Sequence, residues 1–89
     1  MRITFDPKKD ERTRQERGFS LALGADVIRN RVHVFLDDRH DYGENRFVAY
    51  GYVAERLFVC VFTLRDDAYH IISLRKANDR EVKKHGRRF

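Results

Sequence analysis

The chain has little of what would indicate a disulfide-stabilised or membrane-embedded protein. Its single cysteine, Cys60, lies inside an apolar segment, where a free thiol behaves as a small buried hydrophobe. A disulfide within the chain is therefore excluded, and we expect a reducing compartment. The longest apolar run covers residues 57–64, interrupted only by Thr63, and is far shorter than the roughly 20 residues of a membrane helix. Because Met1-Arg2-Ile3-Thr4 runs directly into charged residues, we expect no signal peptide.

No repeat, low-complexity segment or linker divides the sequence, which predicts a single domain over residues 1–89. The composition, 42% hydrophobic and 37% charged, is typical of a globular protein rather than a disordered one. A chain of this length buries roughly 60% of the surface that it exposes when unfolded, enough for one modest core.

The net charge of +5 is unevenly distributed. Residues 1–31 carry eight basic and five acidic groups, residues 32–68 carry four and seven, and residues 69–89 carry seven and two. The basic ends would form one positive face if the terminal helices packed side by side. Such a face favours a nucleic acid or an acidic protein partner, although the charge also has a simpler role in solubility.

Local signals predict an α+β fold. A short strand at residues 3–5 precedes Asp6-Pro7, which predicts the N-cap and first residue of a helix that ends at Gly18. This helix lacks an apolar stripe and must rely on arginine stems and on ion pairs such as Asp10 with Arg14. Ser20 is predicted to cap a second helix, which packs on the sheet.

Four strands should follow, and the tight turns between them require antiparallel neighbours. The third is apolar on both faces, as expected of a strand covered on both sides, and the first alternates as expected nearer an edge. Asn78 with Glu81 resembles a capping box that opens a last short helix ending near Gly86, before Arg87-Arg88-Phe89. The predicted strands are Val32–Leu36, Arg46–Val53, Leu57–Leu64 and Tyr69–Arg75.

The segment 37–46 contains one aromatic and no aliphatic residue, and its Arg, His, Tyr and Glu side chains exceed what a turn requires. Arg65 and Arg75 each end an apolar strand, and Arg46 begins one. Antiparallel pairing of short strands can bring all three to one end of the sheet or to its open face. Ion pairing with neighbouring aspartates is the alternative explanation of these arginines.

Several residues at the predicted junctions follow a characteristic order and spacing. They are Phe5-Asp6, Lys9 and Gly18; Asp38-Arg39 and residues 41–46; Gly51, Thr63 and Arg65; residues 71–77; and Glu81. In this order they resemble the BrnT family, ribonuclease toxins of type II toxin–antitoxin systems with a RelE-like fold. The resemblance covers nearly the whole chain. The sequence departs from the family pattern in the first helix, where Thr13 stands in place of an Asn and Glu16-Arg17 stand in place of a Lys-His pair.

The resemblance implies a cytoplasmic endoribonuclease that cleaves mRNA, inhibits translation and slows growth. It also implies a cognate BrnA-like antitoxin that neutralises the toxin and carries the DNA-binding domain, so that the toxin contacts operator DNA only indirectly. No membrane is involved. A catalytically weak antitoxin-binding or RNA-binding module is the alternative, prompted by the missing Lys-His pair. The implied fold is RelE-like, with a short N-terminal strand, two helices, a four-stranded antiparallel sheet and a short C-terminal helix.

Metal-free RNA cleavage by the 2′-hydroxyl requires cations for the phosphate and groups that move two protons. Arginine suits the first task, because its planar fork matches phosphate oxygens and stays charged. For proton transfer the candidates are Glu44, His40, His70 and Lys9. The predicted catalytic residues are therefore Arg46, Arg65, Arg75 and Glu44, and the predicted RNA contacts are Lys9, Arg12, Arg17, Tyr42 and Lys76.

The side chains of Asp37, Asp38, His40 and Asp41 are of types that bind Mn or Zn. Four such closely spaced donors rarely reach one ion, and the expected pair of ligands on a helix is absent. We therefore interpret the segment as an aspartate-rich turn and predict neither a metal nor another cofactor.

Overall fold

A computed structural model describes residues 1–87, so that Arg88 and Phe89 lie outside the described residues. Among the described helices, none is long and apolar enough to cross a membrane. The elements are β1 Ile3–Thr4, α1 Pro7–Arg17, a 3-10 turn Leu21–Leu23, α2 Gly24–Arg29, β2 Arg31–Asp37, β3 Arg46–Val53, β4 Arg56–Arg65, β5 Ala68–Lys76 and α3 Asp79–His85.

The sheet is five-stranded and mixed, which corrects the predicted four-stranded antiparallel sheet. Its order is β1-β5-β4-β3-β2. β1 joins the edge in parallel, pairing Ile3 with Tyr69 and Thr4 with His70. Local sequence carries no information about this pairing, because two residues show no periodicity and their partners lie on the last strand of the chain.

The four remaining strands pair as antiparallel neighbours, as predicted. β3 has the predicted bounds, and the others extend one residue further at each end. The middle of β4 is buried on both faces, and β2 is an edge strand. Gly51 on β3 lets α2 lie directly on the sheet, since a Cβ there would overlap the Val27 carbonyl oxygen.

The two faces of the sheet differ in what covers them. The helix face, which includes Ala49, Cys60 and Phe62, packs against Leu21 and Ile28 of the helical layer. Alternate residues on the same strands form the open face, where Val48, Tyr50, Leu57 and Val59 form a buried apolar cluster with Ala77. α3 borders the open face.

The helix ends confirm the predicted caps. Asp6 accepts a hydrogen bond from the Lys8 amide at 3.0 Å, and Gly18 ends α1 with φ 84°. Because α1 has no apolar stripe, it is held through Asp10, which accepts hydrogen bonds from Ser20 Oγ at 2.8 Å and from the Leu21 amide at 2.6 Å. Ser20 caps as predicted, although the segment begins as a 3-10 turn before becoming α2.

Candidate active site

The three predicted arginines lie on the open face but not at one end of it. Arg46 begins β3 and Arg65 ends β4, at the same end of the sheet. Arg75 pairs with Val59, whereas Arg65 pairs with Ala68. Positions 59 and 65 on β4 are roughly 20 Å apart at the usual rise of a strand. The structure therefore brings Arg46 and Arg65 together and places Arg75 at the opposite end.

Glu44 holds Arg65 in a fixed orientation. Arg65 donates from Nε to Glu44 Oε1 at 3.2 Å and from a terminal nitrogen to Oε2 at 3.0 Å. These hydrogen bonds lower the pKa of Glu44, so that the carboxylate is ionised at neutral pH and orients its partner. They leave three of the five guanidinium N–H groups free. Because the Arg65 side chain is 48% exposed, those donors are accessible to a ligand.

Arg46 lies beside the same carboxylate. Its Nε is 3.7 Å from Glu44 Oε2, and its guanidinium carbon is 4.0 Å from the centroid of the Tyr42 ring. The Nε atom is buried and forms no hydrogen bond with the described residues. Arg46 is thus fixed mainly by charge and by its cation–π contact. Tyr42 in turn donates its hydroxyl to Asp37 Oδ2 at 3.3 Å.

His70 places an imidazole next to this pair. Its Nδ1 lies 2.8 Å from Thr4 Oγ1, and the ring interacts electrostatically with Arg65 and Glu44. Partial burial and the Arg65 charge lower the pKa of His70, which keeps the ring neutral at pH 7. The sequence named His70 as a candidate for proton transfer but missed Thr4. Thr4 is identified only by the pairing of β1 with β5, which places it beside His70.

The predicted RNA contacts are divided between the two ends. Partial burial and the charge of Arg46 lower the pKa of Lys9, which also interacts with Arg12 and Arg17. Lys9 therefore adds a third cation close to Arg46. Arg17 donates to the Leu74 carbonyl oxygen at 2.6 Å and so fastens α1. Lys76, next to Arg75, lies at the far end.

We name Glu44, Arg46, Arg65, His70 and Lys9 the Glu44 cluster. This set of cations around an oriented carboxylate and a neutral imidazole is suited to a phosphodiester substrate. Residues 5–81 match the family model of BrnT, a ribonuclease toxin of type II toxin–antitoxin systems. The chain belongs to the BrnT family. No curated protein matches it.

In this BrnT-family toxin the aspartates of segment 37–46 order the loop. Asp37 accepts two hydrogen bonds from the Arg39 guanidinium, both at 2.8 Å, which help to lower the pKa of Asp37 to about 2. Asp41 accepts from the Gly43 amide at 3.0 Å. No group of three His, Cys, Asp or Glu side chains in residues 1–87 is arranged to hold a metal ion. These hydrogen bonds order the loop that carries Glu44 and Arg46.

Arg75 joins α3 to the open face. Its two terminal nitrogens donate to the Glu81 carboxylate at 2.7 and 2.8 Å, and the Tyr50 hydroxyl donates to the same group at 2.9 Å. The Arg75 hydrogen bonds are the largest cause of the lowered pKa of Glu81, about 2. Glu81 also completes the capping box with Asn78 that the sequence predicted.

Glu81→Gln should lower the free energy of unfolding at pH 7 by about 1–2 kcal/mol, as expected when a charge-assisted hydrogen bond is lost. Because the pKa of Glu81 is depressed in the folded state, its contribution is complete above the unfolded value of about 4.3. It disappears as the pH falls towards about 2. Urea titrations of both proteins between pH 7 and pH 2 measure this. Equal stabilities at pH 7 would contradict it, and Glu11→Gln, on the exposed side of α1, is the control.

Proposed function

We propose that this toxin is an endoribonuclease that cleaves mRNA without a metal ion and thereby inhibits translation and growth. The observation that carries the proposal is the Glu44-oriented guanidinium of Arg65 beside the neutral ring of His70. The family supplies the general class of activity. The Glu44 cluster supplies the two requirements of metal-free cleavage, which are preorganised positive charge and a group that accepts a proton near neutral pH.

In the proposed reaction, the 2′-hydroxyl oxygen attacks the adjacent phosphorus and the bond to the 5′-oxygen breaks. Arg65 and Arg46 hold the phosphate oxygens. We assign the Nδ1 proton of His70 to the hydrogen bond with Thr4, which leaves a lone pair on Nε2 to accept the proton of the 2′-hydroxyl. Lys9, whose lowered pKa makes it a stronger acid, donates a proton to the departing 5′-oxygen. The products are a 2′,3′-cyclic phosphate and a 5′-hydroxyl.

The remaining predicted RNA contacts have different parts in this proposal. Arg12, beside Lys9 on α1, attracts the RNA backbone, and Tyr42 supports Arg46 by stacking beneath it. Arg75 contacts the RNA only if the RNA strand crosses the open face. Lys76 alternates with Arg75 along β5 and pairs with Phe58 of the helix face, so it lies outside that path. Arg17 keeps α1 in place, and its charge adds to that of Lys9.

The partner in this proposal is a co-encoded BrnA-like antitoxin. It neutralises the toxin in the cytoplasm and supplies the DNA-binding domain through which the complex reaches operator DNA. The toxin provides the enzymatic half of the pair.

RNA cleavage by the purified toxin should survive EDTA and fall steeply with salt. Three or four phosphate contacts through Lys and Arg predict a loss of binding of about 20- to 50-fold between 50 and 200 mM salt. A labelled RNA, followed at subsaturating concentration with and without EDTA, measures both effects. Inactivation by EDTA that a particular divalent ion reverses would contradict the metal-free mechanism. If the folded toxin does not cleave RNA under any of these conditions, it is a binding module.

A further inference from the structure

The helix face carries an apolar groove that α2 does not cover. The groove has a volume of about 230 Å³ and crosses four strands. Its walls are Ile28, Arg31, Val34, Phe47, Phe62, Leu64 and Tyr69. The aromatic rings form a continuous row, with centroids 5.5 Å apart between Phe47 and Phe62 and 5.4 Å apart between Phe62 and Tyr69.

The groove exists because the helical layer is shorter than the sheet. α2 has six residues and is therefore about 9 Å long, whereas β4 has ten residues and spans roughly 33 Å. Beyond α2 the strands keep the apolar residues that a covered face requires. As a result, Leu64 is 57% exposed, Val34 is 36% exposed, and Leu36, on the same face of β2, is 49% exposed.

We propose that this groove binds an apolar segment of the cognate antitoxin, flanked by carboxylates. A toxin of a type II system has an antitoxin partner, and docking of the apolar face of an amphipathic helix into a hydrophobic groove is a recurring mode of protein recognition. Of the described residues that line the groove, Arg31 alone carries a charged side chain. Together with the net charge of +5 it attracts an acidic segment and repels a second copy of the chain.

RNA suits this groove poorly, because binding RNA depends on several cations and the described lining residues other than Arg31 are aliphatic or aromatic. The groove and the Glu44 cluster lie on opposite faces, since Phe47 and Leu64 alternate with Arg46 and Arg65 along β3 and β4. Antitoxin binding and RNA cleavage should therefore be separable by mutation. The inference rests on the antitoxin partnership of the proposed function and is independent of its cleavage chemistry.

The test measures the affinity of the toxin for the protein encoded next to it. Leu64→Glu and Val34→Glu should each raise the dissociation constant by at least about 30-fold, the size of an interface hot spot. Val82→Glu is the matched control, because Val82 is an exposed residue of α3, 39% accessible, and lies outside the groove; we expect a change below about twofold. Titrations in an Arg65→Ala background avoid toxicity during expression.

Further variants and measurements test the charge of the partner segment and the possibility that a second copy of the chain occupies the groove. Leu64→Lys should weaken binding less than Leu64→Glu, because the partner segment is acidic, and the reverse order would overturn that part of the proposal. Unchanged affinity in both glutamate variants, each folded by circular dichroism, would overturn the site. If Leu64→Glu does not fold, Val34→Glu decides alone. A dimer of the toxin alone that Val34→Glu dissociates in sedimentation would assign the groove to a second copy instead. RNA cleavage by the glutamate variants, made with Arg65 intact, should equal that of the wild type.

Discussion

Arg65→Ala is expected to reduce kcat for RNA cleavage by about 10²- to 10³-fold, the effect of removing one preorganised donor from a developing negative charge. Glu44 fixes the guanidinium before substrate binds, so that the charge needs no reorganisation during the reaction. Single-turnover cleavage of a labelled RNA measures the loss. The fold should be retained, because a partly exposed ion pair contributes less than about 1 kcal/mol to stability.

Arg29→Ala is the matched control for charge, since Arg29 pairs with Asp26 on the surface of α2 and should leave cleavage within about twofold. Arg75→Ala provides a sharper comparison. The sequence placed Arg75 in the active site, whereas its contacts with Glu81 favour a role in holding α3. We expect Arg75→Ala to lower stability more than cleavage. A folded Arg65→Ala protein with full activity would remove the Glu44 cluster from the mechanism.

His70→Gln is expected to lower kcat by about 10²- to 10⁴-fold, the usual contribution of general acid–base catalysis. The neutral ring is the active form, so that wild-type activity should fall as the pH drops through the pKa of His70. This pKa lies below its usual value of 6.5, because partial burial and Arg65 disfavour the charged form. In His70→Gln this acidic limb of the pH–rate profile should disappear.

Thr4→Val distinguishes the proton acceptor from a structural histidine. The substitution removes the hydroxyl that holds His70 Nδ1 and keeps the shape of the side chain. We expect a smaller loss of kcat than in His70→Gln, together with a displaced acidic limb. A His70→Gln enzyme whose acidic limb is unchanged would show that the base is another group, and Glu44 would become the first to test.

The predictions that the structure confirms rest on short-range signals. Asp6-Pro7 and Gly18 bound α1 as expected, and Asn78 with Glu81 forms the capping box of α3, because a cap involves groups only a few residues apart. The apolar run around Cys60 predicted a strand buried on both faces. The pattern of residues from Phe5 to Glu81 also predicted the BrnT family, which the family model confirms.

Short-range sequence signals did not predict the arrangement of the site. Arg65 and Arg75 end neighbouring strands, but antiparallel pairing places those ends far apart. Arg46, at the start of β3, therefore shares an end with Arg65 alone. Thr4 supports His70 only because β1 pairs with β5 across 66 positions of the chain.

The sequence by itself determined the element types, the helix caps, the buried strand and the family, because local hydrogen bonding and periodicity encode the first three and residue order the last. Tertiary structure alone decided which arginines meet, which group holds His70 and which part of the helix face stays uncovered. Each of these depends on strand register, or on the length of α2 relative to β4. Both are set by contacts between residues distant in sequence, which no local pattern specifies.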